Sequence, residues 1–146
     1  MRFANINLGR DVEIDPSSSI NNVRIGNNVR IAKRCSVFGS PENLLEIGSG
    51  TYIGMNSLLN GFAAKLTIGC NVSIAQNVNI MVDSGPNAST AMQKIFPEDT
   101  RPVTIGDHVW IGTGSIIMHG VTLGDYCVVA ANSYVNKSFT CFNISA

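Results

Sequence analysis

Aliphatic side chains recur at every sixth position along most of this 146-residue chain, with small or polar residues between them. The spacing holds within groups of three and changes between groups, so that eighteen positions form six triplets. We expect these side chains, and the small or β-branched residues that follow most of them by four positions, to point inward. The triplets are Leu8, Ile14 and Ile20; Ile25, Ile31 and Val37; Ile47, Ile53 and Leu59; Ile68, Ile74 and Ile80; Ile105, Ile111 and Ile117; and Leu123, Val129 and Val135.

A repeat of six residues is too short for a helical solenoid, whose units take about 33 to 47 residues. It fits a parallel β-helix with one short strand per repeat, in which three strands make a triangular coil and coils stack about 4.8 Å apart. The sequence therefore predicts an all-β fold of about six triangular coils. Glycines such as Gly54 and Gly69 follow inward aliphatic residues directly. We expect them at corners where a side chain would crowd the next coil or where φ is unusual.

Three breaks in the spacing predict where the chain leaves the coils. The inward positions are ten, nine and twenty-five residues apart after the second, third and fourth triplets. All three insertions follow the third strand of a coil, so we expect them at the same corner. The longest, 81–104, is the candidate functional loop, because a solenoid gains no core from it. The predicted organisation is one β-helix domain over 1–137, including this loop, and a short tail over 138–146.

Charge and composition exclude several partners. Ten acidic and ten basic residues balance, and the basic residues form no run, which argues against a nucleic acid partner. No apolar run is long enough to span a bilayer, and the first residues leave no room for a signal peptide, so we expect a cytoplasmic protein. The four cysteines lack CxxC spacing, and we expect neither a disulfide nor a zinc site from them.

The pattern from Leu8 to Val135 resembles the left-handed β-helix of hexapeptide-repeat acyltransferases, such as the galactoside, maltose and surface-polysaccharide O-acetyltransferases. The resemblance implies left-handed winding, acetyl-CoA as acyl donor, a sugar acceptor, no metal, and a homotrimer with a cleft between neighbouring subunits. The segment Ile74 to Pro86 is similar to the family segment that ends in the catalytic histidine and a proline. Gly85 occupies the position of that histidine.

Without that histidine, the sequence leaves only weak candidates for a catalytic base. They are His108 and Asp83, with His119 weaker still, because exposed histidines and loop aspartates are more often solvated turn residues. Asn77 matches the family asparagine before the loop, and we expect it to contact the acceptor together with Asp83. Asparagine also supports a β-helix corner without any ligand.

The resemblance implies five residues for a donor groove. An outward tryptophan matches the family's cleft tryptophan, and two residues match positions beside the pantetheine arm of CoA. An Asn-Lys pair stands where the family has Thr-Lys, and its lysine would meet a CoA phosphate as a point charge. Coil packing and solvated surface are the alternatives for the same residues. The five are Trp110, Thr113, Ala131, Asn136 and Lys137.

Two departures from the family lie near the end of the chain. Asn132 replaces a glycine of the family's Gly-Ala-Gly-Ser run and would narrow the groove. Relatives continue into a C-terminal segment that caps the last coil, whereas the tail over 138–146 is short and reads as truncated. An uncapped coil would expose a strand edge, so we expect the tail to fold back over coil six if it is complete.

Two functional hypotheses follow. The first is an acetyl-CoA-dependent O-acetyltransferase acting on a sugar hydroxyl, in surface-polysaccharide synthesis, with the usual catalytic histidine absent. The alternative is a catalytically degenerate trimeric β-helix that binds a sugar or a partner protein as a scaffold. A γ-type carbonic anhydrase, which shares the fold, needs three histidines on zinc, and this chain has two.

Overall fold

Three short strands and three corners repeat six times in the structure, a computed structural model that describes residues 5–141. Each coil contributes one strand to each of three six-stranded parallel sheets. Coils one to three hold β1 (Ile6–Leu8), β2 (Glu13–Ile14), β3 (Ser19–Asn21), β4 (Val23–Ile25), β5 (Arg30–Ile31), β6 (Ser36–Phe38), β7 (Leu45–Ile47), β8 (Tyr52–Ile53) and β9 (Leu58–Asn60). Coil four, the loop, and coils five and six hold β10 (Leu66–Ile68), β11 (Ser73–Ile74), β12 (Asn79–Met81), β13 (Asp83–Ser84), α1 (Thr90–Ile95), β14 (Asp99–Thr100), β15 (Val103–Ile105), β16 (Trp110–Ile111), β17 (Ile116–Ile117), β18 (Thr122–Leu123), β19 (Val128–Val129) and β20 (Tyr134–Val135).

The predicted aliphatic positions stack in register on all three faces, which confirms the left-handed parallel β-helix. On the first face Leu8 pairs with Ile25 and Ile25 with Ile47, and the same ladder runs on through the later coils. The other two faces carry equivalent ladders without a slip. Sixteen of the eighteen side chains are buried. Leu8 and Ile14 are more exposed, because coil one is covered on one side only within the described chain.

The small inward residues carry hydroxyl groups that bond between coils. The Oγ1 of Thr51 donates to the carbonyl oxygen of Gly69 at 2.8 Å and accepts from the backbone N–H of Val72 at 3.1 Å. Ser57 and its neighbours one coil on make the same pair of contacts. Buried hydroxyls cost stability unless they are paired, so these contacts allow polar side chains inside the prism.

A third inward column was missed by the sequence interpretation. Four residues that begin strands of the first sheet are fully buried, two positions before the predicted aliphatic residue. Three of them lie just behind an insertion, where the count of six starts again, and the fourth, Val23, lies within the shortened spacing of five residues between Ile20 and Ile25. The four are Val23, Leu45, Leu66 and Val103.

Asparagine supplies the left-handed backbone at the corners more often than glycine does. Asn28, Asn56 and Asn71 have φ values of 57°, 60° and 57°. Asparagine tolerates this region because its short side chain bonds locally. Of the two reasons predicted for glycines after inward aliphatic residues, crowding of the next coil is observed and an unusual φ is not. A Cβ on Gly54 would lie 2.6 Å from the carbonyl carbon of Ala75 in the next coil.

The insertions leave the prism at the corner that follows the third strand, as predicted. The long one contains the antiparallel hairpin β13–β14 and the short helix α1, whose N-cap Ser89 accepts the backbone N–H of Met92 at 3.1 Å. Its base is fixed where the backbone N–H of Arg101 donates to Val82 at 2.9 Å. Within residues 5–141, no helix has the length and apolar character to cross a membrane.

Ile74→Ala should lower the free energy of unfolding by about 2 to 5 kcal/mol, because Ile74 is fully buried in the middle of a ladder. Urea unfolding followed by circular dichroism measures this loss. Ser73→Ala, on the exposed side of the same strand, is the control and should stay within about 0.5 kcal/mol of wild type. Equal losses from the two variants would contradict the inward assignment.

Candidate functional site

Three of the predicted donor residues line one groove at the corner between the second and third strands of coils five and six. Trp110, Thr113 and Ala131 lie there beside Ala75 and Val128, around a cavity of about 360 Å³. The wall is mainly apolar, and Trp110 is 59% exposed although it is the largest side chain in it. The Trp110 groove is therefore open to a long apolar ligand along the stacking direction of the coils.

Backbone geometry keeps the floor of the Trp110 groove flat. The Oγ1 of Thr113 donates to the carbonyl oxygen of Gln76 at 2.8 Å and ties coil five to coil four. A Cβ on Gly112 would lie 2.6 Å from the backbone nitrogen of Ala131, so the two coils are in close contact here. Asn132, which replaces a family glycine, keeps the left-handed corner with φ of 57°.

The other two predicted donor residues lie in an adjoining pocket at the end of the prism. Asn136 and Lys137 line this end pocket of about 320 Å³, which shares Val128 with the Trp110 groove. They are exposed and are not part of the Trp110 groove itself. Lys137 therefore lies beyond the coil-six end of the Trp110 groove.

The end pocket also contains a disulfide that the sequence interpretation did not predict. Cys127 and Cys141 are bonded, with their Cα atoms 4.7 Å apart, whereas Cys35 and Cys70 are free. The expectation of no disulfide was wrong because Cys141 lies beyond the last triplet, where the periodicity says nothing about the path of the chain.

The segment predicted as a tail continues the first sheet for one further rung. Phe139 forms a parallel bridge with Leu123, its N–H donates to Thr122 at 3.0 Å, and its carbonyl accepts from Gly124 at 2.8 Å. The chain thus folds back over coil six, as expected for a cap. Residues 142–146 of the predicted tail, like residues 1–4, lie outside the described part of the chain.

Asn77 has a structural role in the fold. It is exposed at the corner between β11 and β12, with φ of 58°, and its N–H donates to the carbonyl oxygen of Met55 at 2.9 Å. Asp83 lies at the next corner, beyond β12. The structure does not bring the two predicted acceptor residues together within one chain.

The hairpin of the long loop carries one carboxyl pair on the face where Gly85 lies. A Cβ on Gly85 would lie 2.9 Å from the Cα of Glu98, so Glu98 occupies the space that a side chain at Gly85 would enter. The hydrogen bond with Asp83 raises the pKa of Glu98, and desolvation and the charge of Asp83 act in the same direction. Asp83 is therefore paired with a carboxyl group rather than with a histidine.

The opposite face of the hairpin carries an ion-pair cluster that the sequence interpretation missed. The Oδ2 of Asp99 lies 2.7 Å from Nη2 of Arg101 and 3.0 Å from Nε2 of His119. These hydrogen bonds, that of Arg101 first, lower the pKa of Asp99. His119 was interpreted as a solvated turn residue, but its side chain is only 13% exposed because the hairpin covers it.

Asp99 and His119 line a pocket of about 400 Å³ between the hairpin and coil five. Gly85 lies on the same rim, and the side chains of α1 and the prolines beside it form an apolar wall. We call this cavity the loop pocket. It is lined by Gly85, Pro86, Met92, Phe96, Asp99 and His119, among others.

His108, the other histidine candidate, belongs to a different corner. It lies between β15 and β16, with φ of 57°, and its ring stacks on Tyr126 of the next coil at 4.9 Å between centroids. The loop pocket is at the corner after the third strand, so His108 and the loop are separated within one chain. Within residues 5–141, no three His, Cys, Asp or Glu side chains group in a way that could hold a metal ion.

Comparisons with known proteins match the hexapeptide repeat and, for one relative, nearly the whole chain. A family model described as bacterial transferase hexapeptide (six repeats) matches residues 102–137. A dTDP-4-amino-4,6-dideoxy-D-glucose acyltransferase of Escherichia coli is 30% identical over 147 residues, which cover 94% of this chain and 76% of that protein. Galactoside O-acetyltransferase of Escherichia coli strain K12 is 37% identical over 102 residues, 66% of this chain. This match spans 50% of that enzyme, so the chain corresponds to about half of its length.

Solved structures show the same architecture. AntD, an N-acyltransferase from Bacillus cereus, has been solved in complex with dTDP and 3-hydroxybutyryl-CoA. It superposes with a TM-score of 0.79 at 28% identity, over 90% of this chain and 73% of that chain. A further AntD complex contains dTDP-4-amino-4,6-dideoxyglucose and coenzyme A.

Glu98→Gln should become more stabilising, relative to wild type, as pH rises from about 4 to 7. The pKa of Glu98 is raised in the folded chain, so wild type loses stability as pH rises through that pKa, whereas glutamine stays neutral. Thermal unfolding at a series of pH values measures the difference in Tm. Glu42→Gln, an exposed carboxylate in another insertion, is the matched control. A constant offset between Glu98→Gln and wild type would contradict the shared hydrogen bond with Asp83.

Proposed function

The chain belongs to the hexapeptide-repeat acyltransferase family, and on this premise we propose that it transfers an acyl group from acyl-CoA, with acetyl-CoA as the expected donor, to a sugar. The observation that carries the proposal is the Trp110 groove. Trp110, Thr113 and Ala131, which were selected by resemblance alone, come together there around one open apolar cavity.

The groove has the chemistry needed for the pantetheine arm of CoA. Its wall is apolar and its floor is backbone and small side chains, so a long flexible chain can lie close to the coils. Lys137, in the end pocket that adjoins the groove, supplies a cation for a phosphate of CoA. We therefore propose that the adenosine end of CoA points toward coil six and the thioester toward coil four.

The acceptor group is either a hydroxyl, as the sequence predicts, or an amine. A sugar hydroxyl needs a base to take its proton during attack. Gly85 carries no base, His108 stacks on Tyr126 at another corner, and the Nε2 of His119 is engaged by Asp99. The Nδ1 of His119 is unpaired but buried, so no histidine in the described chain offers an accessible free nitrogen to the loop pocket, which favours an amine.

An unprotonated amine can attack the thioester without prior removal of a proton. The nitrogen lone pair forms a bond to the carbonyl carbon, the carbon–sulfur bond breaks, and the proton lost by nitrogen ends on the thiol of CoA. The products are an amide and free CoA. Two relatives that match most of this chain act on or bind a 4-amino-4,6-dideoxy sugar nucleotide, which supports the same preference. O-acetylation in surface-polysaccharide synthesis stays the second candidate.

We propose a homotrimer as the working form. The Trp110 groove and the loop pocket lie at different corners of one prism, so a donor and an acceptor bound to one chain would be a face apart. Threefold packing would place the loop corner of one subunit beside the groove corner of the next. Exposed Trp110, Val128 and Tyr134 on adjoining faces fit such an interface. A cytoplasmic location stays a prediction.

Trp110→Ala should weaken acetyl-CoA binding by about tenfold or more, because the indole ring covers the arm of the ligand along the groove. Isothermal titration of the full chain with acetyl-CoA measures this change. Sedimentation at the same protein concentration defines the oligomeric state of the chain. Tyr52→Ala is the matched control, since Tyr52 is an outward aromatic residue of the same sheet, outside the groove. It should leave the affinity unchanged.

Absence of acetyl-CoA binding by the folded wild type would overturn the acyltransferase proposal. The scaffold alternative, a degenerate β-helix that binds a sugar or a protein without turnover, would then account better for the chain. Equal losses from Trp110→Ala and Tyr52→Ala would instead show that the donor lies elsewhere.

A further inference from the structure

We propose that Asp99 is the carboxylate that binds the acceptor's amino group, and that Arg101 and His119 are positioning residues that hold it in the loop pocket. This inference rests on the proposed function, because it assigns the acceptor end of the same reaction. It concerns residues of the loop and of coil five that the family resemblance did not single out.

Asp99 is held in place with one oxygen still available. The hydrogen bonds from Arg101 and His119 both end on Oδ2, at 2.7 and 3.0 Å, and Oδ1 receives none from the described part of the chain. The side chain is 50% exposed, so a ligand in the loop pocket can reach it. With its pKa lowered, the carboxylate is ionised at neutral pH and accepts hydrogen bonds from an amine or an ammonium group.

The contact of His119 with Asp99 leaves one ring nitrogen of His119 unpaired. An ionised carboxylate only accepts hydrogen bonds, so Nε2 carries the proton and donates it to Asp99. The other ring nitrogen, Nδ1, is fully buried with no partner in the described chain. A buried polar atom without a partner is destabilising, and its retention needs an explanation. The position of Asp99 provides one.

Arg101 completes the support from the other side. Its guanidinium group bonds Asp99 and packs over Gly120, where a Cβ would lie 3.2 Å from Nη1. Two adjacent residues of coil five thus contact the hairpin, His119 through Asp99 and Gly120 through Arg101. The carboxylate is fixed between the hairpin and the prism before any ligand arrives, which lowers the entropic cost of binding.

The rest of the loop pocket fits a sugar of reduced polarity. Met92 and Phe96 are 42% and 60% exposed and stand on the rim opposite the prism, together with Pro86 and Pro97. Apolar and aromatic surfaces pack against the C–H face and methyl group of a deoxy sugar, while a few placed polar groups fix its orientation. An apolar wall facing one fixed carboxylate therefore selects a deoxy sugar that bears an amine.

The test is equilibrium binding to the full chain saturated with CoA, with two probes. One is dTDP-4-amino-4,6-dideoxy-D-glucose, and the other is dTDP-6-deoxy-D-glucose, which has a hydroxyl in place of the amine. Wild type should bind the amine probe more tightly. Asp99→Asn should weaken binding of the amine probe by about tenfold or more and bring the ratio of the two affinities close to one, because the charge-assisted hydrogen bond is lost.

Two variants of His119 separate positioning from bulk structure. His119→Gln keeps an N–H donor for Asp99 and should retain the preference for the amine. His119→Leu removes the donor and should lose the preference as Asp99→Asn does, with acetyl-CoA affinity unchanged. Glu98→Gln, on the opposite face of the same hairpin, is the control for general damage to the loop and should leave the ratio at its wild-type value.

Any of four results would overturn the inference. Unchanged ratios in Asp99→Asn and His119→Leu would show that Asp99 does not meet the amine. Loss of the ratio in Glu98→Gln as well would indicate a general effect of the hairpin. A wild type that binds acetyl-CoA but not the amine probe would remove the acceptor assignment and leave the donor half of the proposed function intact, whereas failure to bind acetyl-CoA would remove both.

Discussion

The structure depends on the register between stacked coils. Every coil must place its inward aliphatic residues directly over those of the coil before it, because a slip of one residue would turn a whole strand outward. The ladder from Ile14 to Val129 keeps that register across the entire second sheet. Extra residues can therefore leave only at a corner, and the loop pocket lies at such a corner.

The periodicity contains enough information to predict the arrangement of the coils. Strand order, the ladders and the exit point of the loop follow from spacing alone, since each is a consequence of coil geometry. The buried residues Leu45 and Leu66 were missed because the count of six restarts behind each insertion. Most left-handed corners were missed for another reason: asparagine and glycine both adopt that backbone, and asparagine was considered at one corner only, that of Asn77.

The candidate site likewise has a part that follows from the repeat and a part that does not. Thr113 and Ala131 occupy equivalent places in coils five and six, and Trp110 lies three residues before Thr113, so a resemblance in sequence carried over into proximity in space. Contacts between Asp99 and His119 depend on the path of an aperiodic loop, which no repeat predicts. Glu98, Asp99 and Arg101 stand out in the sequence as charged residues just before coil five. The contact of Asp99 with His119 is seen only in the folded hairpin. Cys141 likewise lies beyond the last repeat.

The anchoring of the long loop has an evolutionary consequence. The loop leaves after Val82 and returns at Val103, and both residues are fully buried in the prism, so the stacking of coils four and five fixes the distance between its ends. The entropy of closing a loop grows only with the logarithm of its length, at about 0.6 kcal/mol per doubling. Lineages can lengthen, shorten or replace this segment while the scaffold keeps almost all of its stability. The sequence of the loop and the foldability of the scaffold are then subject to selection on separate parts of one gene.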